Sequence, residues 1–460
     1  MKGDGGAGGP RLKRLARGFR ERTWVTAKLA ARMGAKAAAR QLRGRAADPE
    51  RVDVERAKRS AEQLVEQLGQ LKGLVMKVGQ MASYLPGALP EEAQAVLAKL
   101  QARSTAMEPE RVIALLEEEL GAGVDELFEG FEEVPFAAAS IGQVHRARYR
   151  GRPVAVKVQY PGIEDVLRSD VSTVGALAKL STLGLAMDGG ALVEELQSRV
   201  LEECDYELEA ANQRELGALL REDPRASVPE VIGERSSRRV LTTELSDALP
   251  FEDFVRTAPQ AAKDRAGDVI FKACFDGIFR HGVYNGDPHP GNYLFTPRGD
   301  VTFLDFGCVR RFDPEFIARW KRYARAVIDD DRAVFDERLR ALGFVGQPRG
   351  FDYDYQWTIM QYLYTPFRER DPFFTYGDEY VRQSYSLMLF DNPNQRKTAM
   401  EPQWLLLNRL QWGLNSVLSK LGATSDWPSH FRGAVESPPI DAPAGQGVAR
   451  TEPPIATAGL

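Results

Sequence analysis

The sequence predicts an α+β chain in two lobes, a small antiparallel sheet followed by a larger helical half, with a helical extension ahead of both. Three observations carry this. Val154, Val156 and Val158 alternate after a turn at Arg150-Gly151, the period-2 pattern of a half-buried strand in a hairpin. From Ala261 to Arg280 the period becomes helical, with Ile270, Phe271, Cys274, Phe275 and Ile278 on the apolar side and Gly282 as the stop. Behind that helix lies a second hairpin, Asn285 to Gly307, with polar groups at both ends: Asp287 and Asn292 five positions apart, and Asp305-Phe306-Gly307 after the turn Pro297 to Asp300 and the apolar run Val301 to Leu304.

At 460 residues the chain is long enough for two or three domains and a sizeable core. With 43% apolar and 27% charged residues it has the composition of a soluble globular protein. The net charge of -4 hides an uneven distribution: Arg11 to Arg45 holds twelve Lys or Arg against the single acid Glu21. Leu12, Leu15, Phe19, Trp24, Val25 and Leu29 are interspersed there, so residues 1–46 read as a basic arm, either solvated or an amphipathic helix for an anionic membrane surface. No nucleic-acid partner is expected. Three cysteines, Cys204, Cys274 and Cys308, make no disulfide framework and point to a reducing compartment. No apolar run reaches the roughly 18 to 20 residues of a membrane span, and the start of the chain lacks an apolar signal core. The expected location is the cytoplasm or the cytoplasmic face of a membrane, without secretion.

In chain order, residues 47–105 form the helical extension. Leu71, Leu74, Val75, Val78 and Met81 make a stripe at helical spacing, and Lys77 and Gln80 share the neighbouring face. Taken alone, Lys77 reads as a surface lysine. Gly79 costs a helix roughly 1 kcal/mol against alanine, which close packing would explain.

Residues 106–246 form the sheet-bearing lobe. A helix from Met107 to Glu119 precedes the run Phe136-Ala137-Ala138-Ala139-Ser140-Ile141-Gly142-Gln143-Val144-His145 and the hairpin strand that leaves Lys157 on the face opposite the valines. Glu194 to Leu216 reads as an acidic helix on which Asp205 and Glu209 share a face while Glu203 lies about 120° from Glu209. Strands are expected at Val228 to Ile232 and Val240 to Leu245. Residues 247–430 form the helical lobe, with aromatic-rich segments Tyr353 to Tyr364 and Leu405 to Leu421, and 431–460 form a Pro-rich disordered tail.

The hairpin at 285–307 points to phosphoryl transfer. There one carboxylate orients the nucleophile, while a carboxamide oxygen and a second carboxylate hold Mg²⁺ on nucleotide phosphates. Asp287 suits the first role as catalytic carboxylate; Asn292 and Asp305 suit the metal. Taken alone, Asp287 to Asn292 is also what an ordinary turn looks like, but spacing, hairpin and the Asp-Phe-Gly triplet coincide. Lys157 would meet the phosphates and Glu209 would hold it; the plainer alternatives are the solvent face of an edge strand for Lys157 and a solvated acidic face for the Glu203 to Glu209 segment. Ala137, Ala138, Ala139 and Ser140 would cover the phosphates more stiffly than a glycine loop, and the backbone at Thr243, Glu244 and Leu245 would take the adenine. Only five residues separate Gly307 from the helix start Asp313-Pro314-Glu315, which leaves little room to dock a peptide substrate.

With these motifs in place, the chain resembles the UbiB/AarF atypical protein-kinase-like family over roughly Val65 to Ala423. The resemblance rests on KxGQ at Lys77 to Gln80, AAASIGQVH at Ala137 to His145, VAVKVQYPG at Val154 to Gly162, ECDYELEA at Glu203 to Ala210, DPHPGN at Asp287 to Asn292, and Asp305-Phe306-Gly307. It implies a two-lobed protein-kinase-like fold and ATP or ADP binding with Mg²⁺. It further implies ATPase activity tied to ubiquinone or other isoprenoid-lipid metabolism, with a lipid or quinone precursor and lipid-biosynthetic proteins as partners. It also implies that Lys77 and Gln80, with Glu203 and Asp205, gate the nucleotide site and block the peptide groove. Asn285 stands where the family usually has His, a departure that touches the packing of the loop rather than the metal ligands, and Ala248 stands where a glycine is common. Two other readings compete: a small-molecule kinase, because NGDPHPGN also looks like the loop of antibiotic and choline phosphotransferases, and a catalytically silent nucleotide-binding scaffold.

Overall fold

The computed structural model describes residues 107–139, 141–165, 167–168, 202–369, 373–390, 392–394, 397–398 and 402–438. The basic arm, the helical extension with Lys77 and Gln80, Ser140, and the last 22 positions lie outside the described residues.

Helix α1 (Pro109–Leu120) carries proline in its first turn and ends at Gly121, whose left-handed φ of 75° lets its N–H reach Glu117 O. Its inner face, Val112, Leu115 and Leu116, packs on Val154, Val156 and Val158, all three fully buried. Those valines belong to an antiparallel sheet of β1 (Ala137–Ala138), β2 (Gly142–Tyr149), β3 (Arg152–Gln159) and, beyond a short strand β4 (Ala226–Ser227) of another sheet, β5 (Val240–Glu244). The β2–β3 turn has φ of 50° at Arg150 and 73° at Gly151, the left-handed pair that a two-residue hairpin requires. The register sets Val144 opposite Lys157 and Lys157 opposite Leu241.

Helix α2 (Tyr206–Leu220) follows a break at 203–205 in the expected acidic helix, whose first part, 194–201, lies outside the described residues. Asp205 is its N-cap, accepting from the N–H groups of Glu207 at 3.0 Å and Leu208 at 3.1 Å. The predicted strand at Val228 to Ile232 is also corrected. Pro229 offers no N–H, and only Val231 makes a bridge, to Thr243, whereas Ala226 and Ser227 pair in parallel with Val301 and Thr302.

The larger lobe begins with β6 (Leu249–Pro250), α3 (Phe251–Thr257) and α4 (Gln260–Asp276). The last continues through a wider turn, Gly277–His281, that Gly282 closes at φ 65°. β7 (Val283–Asn285) follows directly, then β8 (Tyr293–Phe295), β9 (Val301–Phe303) and β10 (Val309–Arg311). β8 and β9 form a hairpin, and β10 folds back to pair with β7, setting Val309 opposite Asn285. Helices α5 (Pro314–Ile328), α6 (Arg332–Ala341), α7 (Tyr353–Leu363), α8 (Asp378–Tyr385), α9 (Pro402–Leu421) and α10 (Trp427–Glu436) complete the lobe. As the sequence suggested, Asp313 caps α5, accepting from Glu315 N at 2.8 Å.

The core of this lobe is aromatic. Phe271 and Phe275 of α4 meet Trp427 and Phe431 of α10, with Phe367 stacked on Phe431 at 4.3 Å. Phe431, Ala434 and Val435 are buried, so the expected tail boundary at 431 is corrected: the lobe runs at least through Glu436. Buried Asp268 of α4 pins α10 and the preceding loop, with Arg225 Nη1 at 2.8 Å, Ser425 Oγ at 2.6 Å and His430 Nε2 at 2.6 Å.

Candidate active site

Alternation along β3 decides where Lys157 goes. Its valine neighbours bury toward α1, so its side chain turns to the opposite face, over the cleft between the lobes. There its Nζ lies 2.8 and 3.0 Å from the two carboxylate oxygens of Glu209, and 4.8 Å from the centre of the Tyr206 ring. Burial opposes the lysine charge, but Glu209 and then Asp305 outweigh it and hold the ammonium above its usual range. Burial likewise pushes the Glu209 carboxyl up against the pull of Lys157.

The second hairpin brings its two polar ends together. Asn292 Nδ2 donates to Asp287 O at 2.8 Å and reaches Asp287 Oδ2 at 3.5 Å. His289 fixes the loop between them by accepting from Gly291 N at 3.0 Å. Asp305 holds a left-handed φ of 56°, a conformation that costs a non-glycine residue on the order of 1–3 kcal/mol and needs support from its surroundings. That support includes Gly307 N donating to Asp305 Oδ1 at 3.1 Å and Asn285 Nδ2 donating to Asp305 O at 2.7 Å.

The cleft encloses about 540 Å³. Lys157, Glu209, Asp305, Glu203, Asp287 and Asn292 line it together with Ala137, Ala138 and Ala139, of which the first two are exposed. The alanine run is tighter than a free loop: Ala137 and Ala138 pair with Val144 and Gln143, and Ala139 N bonds Gly142 O at 2.9 Å. Gly142 is obligatory there, since a Cβ would sit 2.2 Å from Val158 O.

At the hinge, Glu244 and Leu245 line the cleft, but their N–H groups are committed to Glu230 O at 2.9 Å and Pro153 O at 3.1 Å. The Glu244 carbonyl accepts from Thr243 Oγ1 at 3.3 Å and keeps a second lone pair for a base, and the N–H of Ser246, a residue the sequence reasoning did not single out, lies beside it.

The gating set divides. Glu203 lines the cleft beside Gly307, whereas Asp205 is withdrawn to the helix cap; this corrects its expected place on one helix face with Glu209. Lys77 and Gln80, their expected partners, lie outside the described residues, as does Ser140.

Hard oxygen donors at Asp305 and Asn292 suit Mg²⁺, with the nitrogen of Asn292 held by Asp287 and its oxygen left as acceptor. Among the described residues no group of three His, Cys, Asp or Glu side chains forms a metal cage. The Tyr206 hydroxyl, buried in the cleft wall, has no hydrogen-bond partner.

Residues the sequence reasoning missed hold the Asp-Phe-Gly turn. Asn212 donates to Phe306 O at 3.1 Å and accepts from Arg311 Nη2 at 3.1 Å. Buried Arg310 pairs with Glu202 at 3.0 Å, and Arg311 pairs with Glu215. The i, i+3 spacing of Glu209 and Asn212 was a signal for the first. For Arg310 and Arg311 the signal was a basic pair facing an acidic segment.

A small sheet lobe over a helical lobe, with a lysine–glutamate pair facing an Asp/Asn loop and an Asp-Phe-Gly turn, defines a protein-kinase-like fold. The ABC1 atypical kinase-like domain profile matches residues 99–338, more than half of the chain, and the chain belongs to that family. It is 34% identical over 293 residues to the mitochondrial atypical kinase COQ8B of Rattus norvegicus, covering 62% of this chain and 55% of that protein. To the mitochondrial atypical kinase COQ8 of Saccharomyces cerevisiae it is 27% identical over 375 residues, 79% and 74% of the two chains. Against several of these curated relatives the chain spans about half their length or less. Among solved structures, the Rv3197–erythromycin complex from Mycobacterium tuberculosis superposes with a TM-score of 0.62 at 29% identity, covering 83% of this chain and 98% of that one. Among the described residues no helix is long and apolar enough to cross a membrane.

Proposed function

We propose that the chain is a Mg-ATP-binding ATPase that supports ubiquinone or other isoprenoid-lipid metabolism and does not phosphorylate proteins. The observation that carries this is the Lys157–Glu209 pair at 2.8 Å, facing Asp305 across the same cleft that holds Asp287 and Asn292. The COQ8 names of the relatives support the metabolic assignment.

Lys157 neutralises phosphate charge, with Glu209 fixing its position. Asp287 lies at the cleft wall, where its carboxylate orients a water or accepts its proton. Asn292 and Asp305 would hold Mg²⁺, which when bound neutralises charge on the terminal phosphates. The alanine strand would cover the phosphates, and Glu244 O with Ser246 N–H would receive the base. Against a protein substrate stands the short path after Gly307: β10 pairs with β7, and Phe312 N bonds Gly282 O at 2.7 Å. The chain thus enters α5 without an extended peptide-docking segment. Lys77 and Gln80, with Glu203, act in this reading as the gate.

Residues 11–45 supply a basic face for an anionic membrane, which would place the chain peripherally beside lipid-biosynthetic partners. The test is ATP hydrolysis by the purified chain with and without liposomes containing anionic phospholipid. Turnover that rises with the liposomes, and does not with neutral ones, supports the membrane-coupled reading. Turnover indifferent to both leaves the basic arm without that role, and phosphorylated product from a panel of small alcohols replaces the ATPase with a small-molecule kinase.

A further inference from the structure

We infer that Asn212 and Asn285 form a two-carboxamide clamp that sets Asp305 in the conformation facing the metal, and that Asn212 ties this setting to the helix that holds Lys157. The inference rests on the Mg-nucleotide reading of the cleft. Two consecutive carbonyls of the Asp-Phe-Gly turn each receive one side-chain amide: Asp305 O from Asn285 Nδ2 at 2.7 Å, and Phe306 O from Asn212 Nδ2 at 3.1 Å.

Neither carboxamide is free to rotate, because the opposite end of each is also occupied. Asn285 Oδ1 accepts from Asp287 N at 3.2 Å, and Asn212 Oδ1 accepts from Arg311 Nη2 at 3.1 Å. Asp305 sits at a left-handed φ of 56° that the clamp holds against relaxation. Asn212 is only 3% exposed and stands one helical turn beyond Glu209, so the Lys157 anchor and the Asp305 turn share one rigid element. Downstream, Arg310 with Glu202 and Arg311 with Glu215 fasten the next strand to α2 and to the turn before it. In kinases that switch, a phosphate on the activation segment makes such contacts. Here Asn212, Asn285, Arg310 and Arg311 make contacts to the turn and to the strand after it.

Asn212 and Asn285 are positioning residues, and the test separates them from a general structural role. Binding of a fluorescent ATP analogue to the full chain is measured without metal and across a Mg²⁺ titration, for wild type, Asn212→Leu, Asn285→Leu and Asn285→His, each checked by thermal unfolding. We expect metal-free affinity to stay within about twofold while the Mg²⁺ concentration for half-maximal enhancement rises about tenfold in both leucine variants. Asn285→His, whose ring N–H can donate to the same carbonyl, restores the response. Should Asn212→Leu fail to fold, Asn212→Asp removes the same donor in the same shape. Variants with a wild-type Mg²⁺ response overturn the clamp, as do variants that lose metal-free affinity in equal measure. A wild-type chain that binds the analogue without any Mg²⁺ response overturns the reading of the site, and the clamp with it.

Discussion

Asn285 donates to the backbone carbonyl of Asp305 at 2.7 Å while its own oxygen accepts from the N–H of Asp287 at 3.2 Å. One carboxamide thus spans the two carboxylate-bearing ends of the hairpin and fixes their distance. An imidazole and a carboxamide share the capacity to donate to a carbonyl from one end and accept an N–H at the other, so a histidine could take the same place.

The Lys157–Glu209 pair is nearly dry, with side chains 17% and 5% exposed. Lys157→Met leaves a buried carboxylate without its cation and should cost about 3–5 kcal/mol, read as a fall in the urea midpoint. Adding Glu209→Leu should recover much of that loss, because the pair is replaced by apolar contact. Neither variant should hydrolyse ATP.

Gly142→Ala places a methyl 2.2 Å from Val158 O, a backbone atom that cannot swing aside. The expected cost is about 1–3 kcal/mol, with weaker ATP binding as the alanine strand lifts from the cleft. Urea unfolding and ATP titration on one preparation check both.

Much of this architecture was legible in the sequence, because the signals were local. Period-2 valines fixed the face of Lys157, and Asp313-Pro314 fixed the start of α5. The misreadings came where two local rules competed. Asp205 could extend an acidic helix or cap it, and the unpaired N–H groups of the first turn favoured the cap. Val228 to Ile232 had strand composition, but Pro229 interrupted the ladder. The contacts of Asn212 and Arg310 depend on tertiary distance: Asn212 and Phe306 are 94 residues apart in the chain, Arg310 and Glu202 108.

Gly413 of α9 packs against the catalytic loop so closely that a Cβ would lie 2.6 Å from Pro288 Cγ and 2.7 Å from Pro288 O. Gly413→Val should displace the loop that carries Asp287. A shift of about 1 Å at a reacting group costs on the order of 100-fold in rate. Steady-state kinetics should therefore show a collapse in kcat with a much smaller change in ATP affinity.

Asp268 gives the fold an acid-sensitive joint. Burial pushes its carboxyl up, but hydrogen bonds from His430, Ser425 and Arg225 outweigh it and hold the group well below the usual carboxylate range. A depressed folded value means stability that is present above the unfolded value of roughly 3.9 and is lost as pH falls through the folded one. Asp268→Asn should lower the urea midpoint near neutral pH and flatten its decline as pH falls below about 5.

The most direct test of the central claim is Mg²⁺-dependent ATP hydrolysis by the purified chain beside Asp305→Asn. The variant keeps the side-chain oxygen that accepts from Gly307 N, so the fold should remain intact. Wild-type turnover that requires Mg²⁺ and vanishes in the folded variant is the predicted result; hydrolysis by Asp305→Asn at the wild-type rate would contradict it.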